Sequence, residues 1–492
     1  MRYSPFKIFI YFVITLLVLL GTTLLTTSKT LDNGKVQEGF FIGDFHIKYP
    51  TFESFISDPS YDRSHIKSLD SIVSNIETLV KEVDQEKPES IATPIIPDFR
   101  KIDTSKVQRI SYPDNRLAFI DRIRKNLQSD HCRIIHYGDS QLEGDRISGY
   151  LRNRFQGLYG GSGPGFIPIV QVYDQISANV THSDNWTRHA YFDPTQKKFP
   201  HKKYGAYSSL SRFTEAYETI DSVLVESLET KNATITIGIP TKSHLLARTF
   251  TKIGLHYGNA LVPATINIYN DDELILSDEL IADGDYHKFS LNLTTTPSNL
   301  RIEIESKISP DFYGLTLDGN SGISLDNVAM RGSSGTIFAG TDANNFHEMY
   351  QQLQPKLLIF QYGGNSVPYL KDSLGVKEYA SYLKNHINWV KRKSNNADVI
   401  FIGPSDMTTT DAGQMKTYPL LPYLNEVLEE TCKENGFAFW SMYDAMGGKN
   451  SMQHWVDQGL AATDYTHFSP SGTKIISELF FMAMYLDLNT KK

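Results

Sequence analysis

"IIHYGDSQLEGDRI", residues 134–147, is the stretch on which the fold turns. An apolar run stops at Gly138, Asp139 and Ser140. Apolar residues then recur at Ile147, Leu151, Phe155 and Leu158, the spacing of a helix with one buried face. A strand, a polar corner and a helix in that order form the first half of a βαβ unit. The corner itself has two readings. Gly, Asp and Ser are ordinary turn formers. Alternatively, Ser140 is a nucleophile at the carboxyl end of a strand, where open α/β sheets hold their ligands.

Further along the chain, "KLLIFQYGGN" (356–365), "ADVIFIGPSD" (397–406) and "FAFWSMYDAM" (437–446) repeat the pattern of a short buried strand ending in a glycine or polar loop. Helix-period segments such as Val376, Leu383, Ile387 and Val390 lie between them. Continuous apolar strands separated by amphipathic helices imply a parallel sheet covered on both faces. The middle of the chain follows a different rule. In "LRIEIES", Leu300, Ile302 and Ile304 alternate with Arg301, Glu303 and Glu305, and "ATITIGI" and "YHKFSLNL" largely do the same. That is the period of half-exposed antiparallel strands. The expected architecture is therefore a three-layer α/β/α domain interrupted by an inserted antiparallel β-sandwich. Its expected segments are 111–175 (first α/β part), 176–325 (insert) and 326–492 (second α/β part).

Residues 1–30 read as a signal anchor or transmembrane segment: Arg2 and Lys7 precede an uncharged run from Ile8 to Leu25. The reading implies an exported body on the periplasmic side of an inner membrane, or a secreted one if the segment is cleaved. Residues 31–110 read as a stalk and linker. Within them Ile66, Leu69, Val73, Ile76, Val80 and Val83 follow a 3-4-3-4-3 spacing. This seam serves either weak self-association through residues 66–83 or packing on the chain's own domain. With 48 basic and 56 acidic residues the formal charge is −8, which speaks against nucleic acid as a partner. Cys132 and Cys432 are the only cysteines and show no metal-like spacing; two separate, partly buried thiols are expected rather than a disulfide. No metal or organic cofactor is expected.

Four blocks stand at strand ends or before a helix: "GDS" with Ser140, "RGSSG" with Gly332 and Gly335, "YGGNS" with Asn365, and "DYTHFSPSG" with Asp464 and His467. A serine, a glycine, an asparagine and an Asp-x-x-His in that order resemble the SGNH/GDSL hydrolase superfamily, over about 116–170 and 326–486. The resemblance implies a flavodoxin-like α/β/α sheet. It also implies a triad of Ser140, His467 and Asp464, and an oxyanion hole made by the Ser140 and Gly335 N–H groups and the Asn365 amide. A narrower likeness is to Gram-negative peptidoglycan O-acetylesterases, through "HYGDSQLEGDRISGYLRNRFQGLYGGSGPGFIPI" (136–169). Those enzymes carry a carbohydrate-binding-module-like β-domain between the serine and glycine blocks, and the β-rich segment here falls in that interval. The implied activity is O-acetyl ester removal from an envelope glycan. An O-acetyltransferase and a non-catalytic glycan-binding scaffold are the alternatives.

Ser366 stands where the broader family usually has an acid, and Gln141 where leucine is common; neither position does chemistry there. Several assignments have rivals. Gly332 competes with Gly335 as a donor, and Asp464 could instead cap a helix. His136 reads as a packed strand residue, and His454 as a candidate cleft residue. Trp186 and Tyr204 fit either sugar stacking or core.

Overall fold

The computed structural model describes residues 5–30, 36–42, 45–49, 51, 63–84, 94–217, 219–411 and 414–489. Its parallel sheet contains β1 (His131–Gly138), β2 (Gly322–Ala329), β3 (Pro355–Gln361), β4 (Asp398–Ile402) and β5 (Ala438–Trp440), in the order β2-β1-β3-β4-β5. All four pairings are parallel. This is the doubly wound 2-1-3-4-5 order, with its switch point between β1 and β3. The eight longer helices are α1 (Pro5–Thr22), α2 (Arg63–Asp84), α3 (Arg116–Leu127), α4 (Arg146–Tyr159), α5 (Ala343–Leu353), α6 (Ser373–Lys393), α7 (Leu421–Glu434) and α8 (Pro470–Leu488).

Because successive strand residues point to opposite faces, each strand feeds two cores. Ile134 and Ile359 pack with α2, α3, α4 and α8, whereas Ile135, Leu358 and Phe360 pack with α5, α6 and α7. Both layers needed for an α/β/α domain are thus present. The expected spacing in α4 holds: Ile147, Leu151 and Phe155 are buried. A Glu478 carboxylate buried on α8 accepts from Tyr150 Oη at 2.9 Å and Arg154 Nη2 at 3.1 Å, locking α4 to α8.

Between β1 and β2 the chain builds two antiparallel sheets. One runs His287–Asn292, Lys252–Gly258, Asp311–Asp318, Ser209–Arg212, Thr187–Ala190, with Gly165–Ile167 also paired to Asp311–Asp318. The other runs Glu273–Leu280, Ala264–Asn270, Asn299–Ser306, Lys231–Gly238, Asn179–His182. Leu300, Ile302 and Ile304 enter the sandwich core, while Arg301, Glu303 and Glu305 are partly exposed, as their alternation requires. Buried charges tie this unit to the parallel sheet. Arg133 on β1 pairs with Asp318 of the insert and, at 2.5 Å, with Asp326 on β2. Asp326 also accepts from the Phe166 N–H at 3.1 Å and Tyr207 Oη at 3.0 Å. Charges this deeply buried are tolerated only when they are paired.

The apolar seam of α2 is used within the chain. Ile76, Val80 and Val83 are buried and Val73 packs beside them, in the core that includes α8. Lys474 on α8 also pairs with Asp84 at 2.6 Å. The Ile66 and Leu69 side chains lie outside the described residues. From Val73 onward, then, the seam meets its own domain rather than a second copy. Among the described residues no helix is long and apolar enough to cross a membrane. At 18 residues, α1 is about 27 Å long, short of the ~30 Å hydrocarbon core. Both cysteines are buried and free. Trp186 is a core residue, edge-on to Phe213 and Phe312 at 5.3 Å, with its Nε1–H bonded to Thr234 O. Tyr204 is likewise buried, its hydroxyl accepting from the Phe199 N–H at 2.9 Å.

Candidate active site

Folding brings Ser140 and His467 together from the two α/β segments. Ser140 Oγ lies 2.8 Å from His467 Nε2. His467 Nδ1 lies 2.8 Å from Asp464 Oδ2. An ionised carboxylate can only accept, so the neutral ring carries its hydrogen on Nδ1 and presents a lone pair from Nε2 to the serine hydroxyl. The other oxygen, Asp464 Oδ1, accepts the N–H groups of Thr466 and His467 at 3.0 Å each. Burial raises the Asp464 carboxyl. The bonds from the His467 N–H and ring and from the Thr466 N–H outweigh that and leave it below the usual carboxylate range. Asp464 does not cap α8; Ser469 does, accepting from the Gly472 N–H at 3.2 Å.

The turn at Ser140 is built by its neighbours. Gly138 ends β1 where a Cβ would come within 2.7 Å of the Leu142 side chain and 3.1 Å of Gln361 O, so glycine lets the turn fold back on the strand. Asp139 accepts the Gln141 N–H at 3.0 Å and starts a short 3-10 segment, Ser140–Asp145. Arg152 then grips Asp145 through a fork of 2.6 and 3.0 Å and donates to Leu325 O at 2.7 Å. Both side chains are buried. Two further side chains, to which the sequence assigned no such part, join this turn to the histidine loop. Gln141 Nε2 donates to Thr466 O at 2.7 Å. Arg146 donates to Phe468 O at 3.2 Å and to Ser140 O at 3.3 Å. A bond to a backbone carbonyl constrains the acceptor's residue type very little, so no pattern signalled these ties.

Asn365 lies across a small cleft from Ser140. Its Nδ2 donates to Asp139 Oδ2 at 3.2 Å and Ser333 O at 3.1 Å. Burial pushes the Asp139 carboxyl up to about 6, against the lowering effect of the Gln141 N–H and His467. Gly335, at φ +80°, directs its N–H to Ser333 Oγ at 3.1 Å. A Cβ there would meet Tyr362 and Leu383 at 2.7–2.8 Å, while one at Gly332 would meet nothing within 4 Å. Gly335 therefore has a packing need for glycine that Gly332 lacks. The cleft has a volume of about 60 Å³; beside Asp139, Ser140, Asn365 and His467 it is walled by Gly364 and Met407 among others. His136 is buried and bonded to Ser148 Oγ at 3.0 Å, and burial lowers its pKa to about 3. It stays a neutral strand residue. His454, on the helix Ser451–Asp457, does not line the cleft. Among the described residues no group of three or more His, Cys, Asp or Glu side chains is placed to hold a metal ion.

A serine, a histidine and a carboxylate in hydrogen-bonded series, at the carboxyl ends of a 2-1-3-4-5 parallel sheet, define the site of a serine hydrolase. Residues 309–475 match the model of the GDSL-like Lipase/Acylhydrolase family. The serine block lies outside that stretch because the β-insert separates it from the other blocks. A solved structure titled "Peptidoglycan O-acetylesterase in action" is similar over 78% of this chain and 99% of its own, with 18% identity and a TM-score of 0.60. A family two carbohydrate esterase from Clostridium thermocellum (10% identity, TM-score 0.24, 53% of this chain and 92% of its own) is far more distant. So is a putative GDSL-like lipase from Bacteroides ovatus (11%, 0.25, 64% and 99%). No curated protein matches the sequence.

Proposed function

We propose that this protein is an exported serine esterase that removes O-acetyl groups from a cell-envelope glycan, peptidoglycan in particular, through an acyl-enzyme on Ser140. The observation that carries the reading is the Ser140–His467–Asp464 series at the wall of a cleft of about 60 Å³. That volume is on the scale of a few water molecules, enough to admit a two-carbon acyl group. The likeness in fold to a peptidoglycan O-acetylesterase, over 78% of this chain, supports the choice of glycan.

In this mechanism His467 Nε2 takes the Ser140 proton as Oγ attacks the acetyl carbonyl. Asp464 stabilises the imidazolium that forms. The negative charge on the former carbonyl oxygen is met by the Ser140 N–H and by the Asn365 amide, which turns one hydrogen from Asp139 Oδ2 or Ser333 O to the oxyanion. The Gly335 N–H joins them when Ser333 Oγ turns away. His467 returns the proton to the departing sugar hydroxyl. It then activates a water that frees acetate and restores Ser140.

Export and attachment at a membrane are part of the proposal. Beyond the uncharged run, their support is the outward apolar surface of α1, where Phe6, Phe9, Tyr11, Phe12, Leu16 and Leu17 are each at least 60% exposed. Recovery of the full chain in the soluble cytoplasmic fraction would contradict that part. For the activity, purified protein should release acetate from O-acetylated peptidoglycan, faster than from other acetylated polysaccharides. Ser140→Ala should abolish the release while keeping the wild-type melting profile. Acetate release by Ser140→Ala at the wild-type rate would end the proposal.

A further inference from the structure

A second cleft, of about 320 Å³, lies on the other side of the serine turn. Ser140 and Gln141 line the first cleft, and Glu143 and Gly144 line this one. The insert supplies much of its far wall: Arg188 from the strand Thr187–Ala190, followed by Phe192. Tyr173 and Arg331 stand nearby, Tyr173 being 49% exposed. The volume sits at the low end of the range of small-ligand sites.

Arg188 is the unusual member. Its Nε is sealed from solvent and has no hydrogen-bond partner among the described residues. The one bond of its guanidinium, to Ser209 Oγ, is 3.5 Å long. The negative charges that face it are Glu143 and Asp193, and neither forms an ion pair with it. Burial accordingly lowers its pKa to about 10. Glu143 is engaged elsewhere, 3.8 Å from Arg331, which also bonds the Tyr173 hydroxyl. Phe192 lies beneath the Arg188 guanidinium, 5.6 Å from ring centroid to Cζ. A desolvated guanidinium without a carboxylate is costly. A carboxylate arriving with the ligand would relieve that cost through the two-pronged geometry guanidinium favours.

We propose that this cleft is an anion subsite in which Arg188 binds a carboxylate carried by the substrate glycan, with the sugar ring against Tyr173. The proposal rests on the esterase reading for its place beside Ser140, but its test does not. The insert would thereby contribute directly to substrate choice, selecting acetylated sugars that bear an acidic substituent next to the ester.

The test is calorimetric binding of N-acetylmuramic acid and N-acetylglucosamine to the full chain; the two probes share a ring and differ by the lactyl ether that carries the carboxylate. The wild type should bind the acid at least tenfold more tightly, as expected for a charge-assisted hydrogen bond. Arg188→Gln should bring the ratio near one, and Arg188→Lys should keep part of it. Glu143→Gln, which removes the competing carboxylate, should raise the preference, so the proposal stays testable if Arg188→Gln does not fold. Equal affinity for the two sugars in the wild type, or no binding of either, overturns the proposal. So does a preference that survives Arg188→Gln. Inorganic phosphate binding as tightly as the sugar acid would show a general anion site and overturn the glycan assignment. Loss of the esterase reading through Ser140→Ala leaves this binding result standing, so the two failures are distinguishable.

Discussion

Replacing Asp464 with Asn separates the chemistry of the site from the shape of its loop. Asp464 Oδ1 holds the Thr466 and His467 N–H groups at 3.0 Å, and an amide oxygen can take over both bonds. Oδ2 faces His467 Nδ1 at 2.8 Å, and there the exchange installs an NH₂ group. Two donors cannot face each other, so the ring must move its hydrogen to Nε2. The lone pair facing Ser140 is then lost. In a triad whose aspartate is buried, this exchange costs about 10⁴ in kcat. The Asp464 side chain is 50% exposed, so water competes for the site and the cost does not exceed that figure. We expect kcat to fall by about 10²–10⁴, or ~2.7–5.4 kcal/mol in activation free energy. Stability should change by less than ~1 kcal/mol, the scale of exposed ion pairs. The assay is kcat and KM on 4-nitrophenyl acetate and on acetylated peptidoglycan, with thermal melting alongside. A kcat within fivefold of wild type, with an unchanged melting curve, would refute the reasoning and leave Asp464 as a loop-shaping residue.

Asn365→Ala should lower kcat by about 10²–10³ with little effect on KM, the cost of losing one oxyanion donor; an unchanged kcat would remove Asn365 from that role. Gln141→Leu keeps the side-chain size but cuts the bond to Thr466 O. Up to a tenfold loss in kcat at constant KM is expected, since a hydrogen bond contributes ~0.5–1.5 kcal/mol; a KM effect alone would contradict it. Asp145→Asn strands the buried Arg152 guanidinium, and calorimetric melting should show a loss of about 3–5 kcal/mol. Asp139 makes stability depend on pH. Its folded pKa, about 6, is above the ordinary 3.8, so the folded state binds more protons between those values. Stability contributed by this group is full below pH ~4 and lost as pH rises toward ~6, by about 3 kcal/mol at 1.36 kcal/mol per unit. The melting difference between wild type and Asp139→Asn should therefore shift across that window and stay flat above it.

What the sequence made legible follows from short-range pattern. β3, β4 and β5 were readable because buried parallel strands are apolar throughout, and α4 because Ile147, Leu151 and Phe155 share one face. The alternation at Leu300–Ser306 gave the sandwich in the same way. The strand order was not readable from periodicity, because pairing β2 with β1 joins residues separated by the whole insert. The α2 spacing was ambiguous for a related reason: an apolar stripe is the same whether it meets α8 or a second copy. At the site, Ser140, Asn365, Asp464 and His467 stood out through motif order. Gln141 and Arg146 did not, since their partners are backbone carbonyls. Arg188 gave no sign either; an arginine in a short strand looks like a solvated one until folding buries it.

The most direct test of the account is capture of the acetyl-enzyme. Wild-type protein is mixed rapidly with 4-nitrophenyl acetate and quenched in acid, and its peptides are then read by mass spectrometry. A burst of nitrophenol and a single acetyl group on the peptide carrying Ser140, both absent in Ser140→Ala, are the expected result. An acetyl group on another residue, or turnover by Ser140→Ala at the wild-type rate, would contradict it.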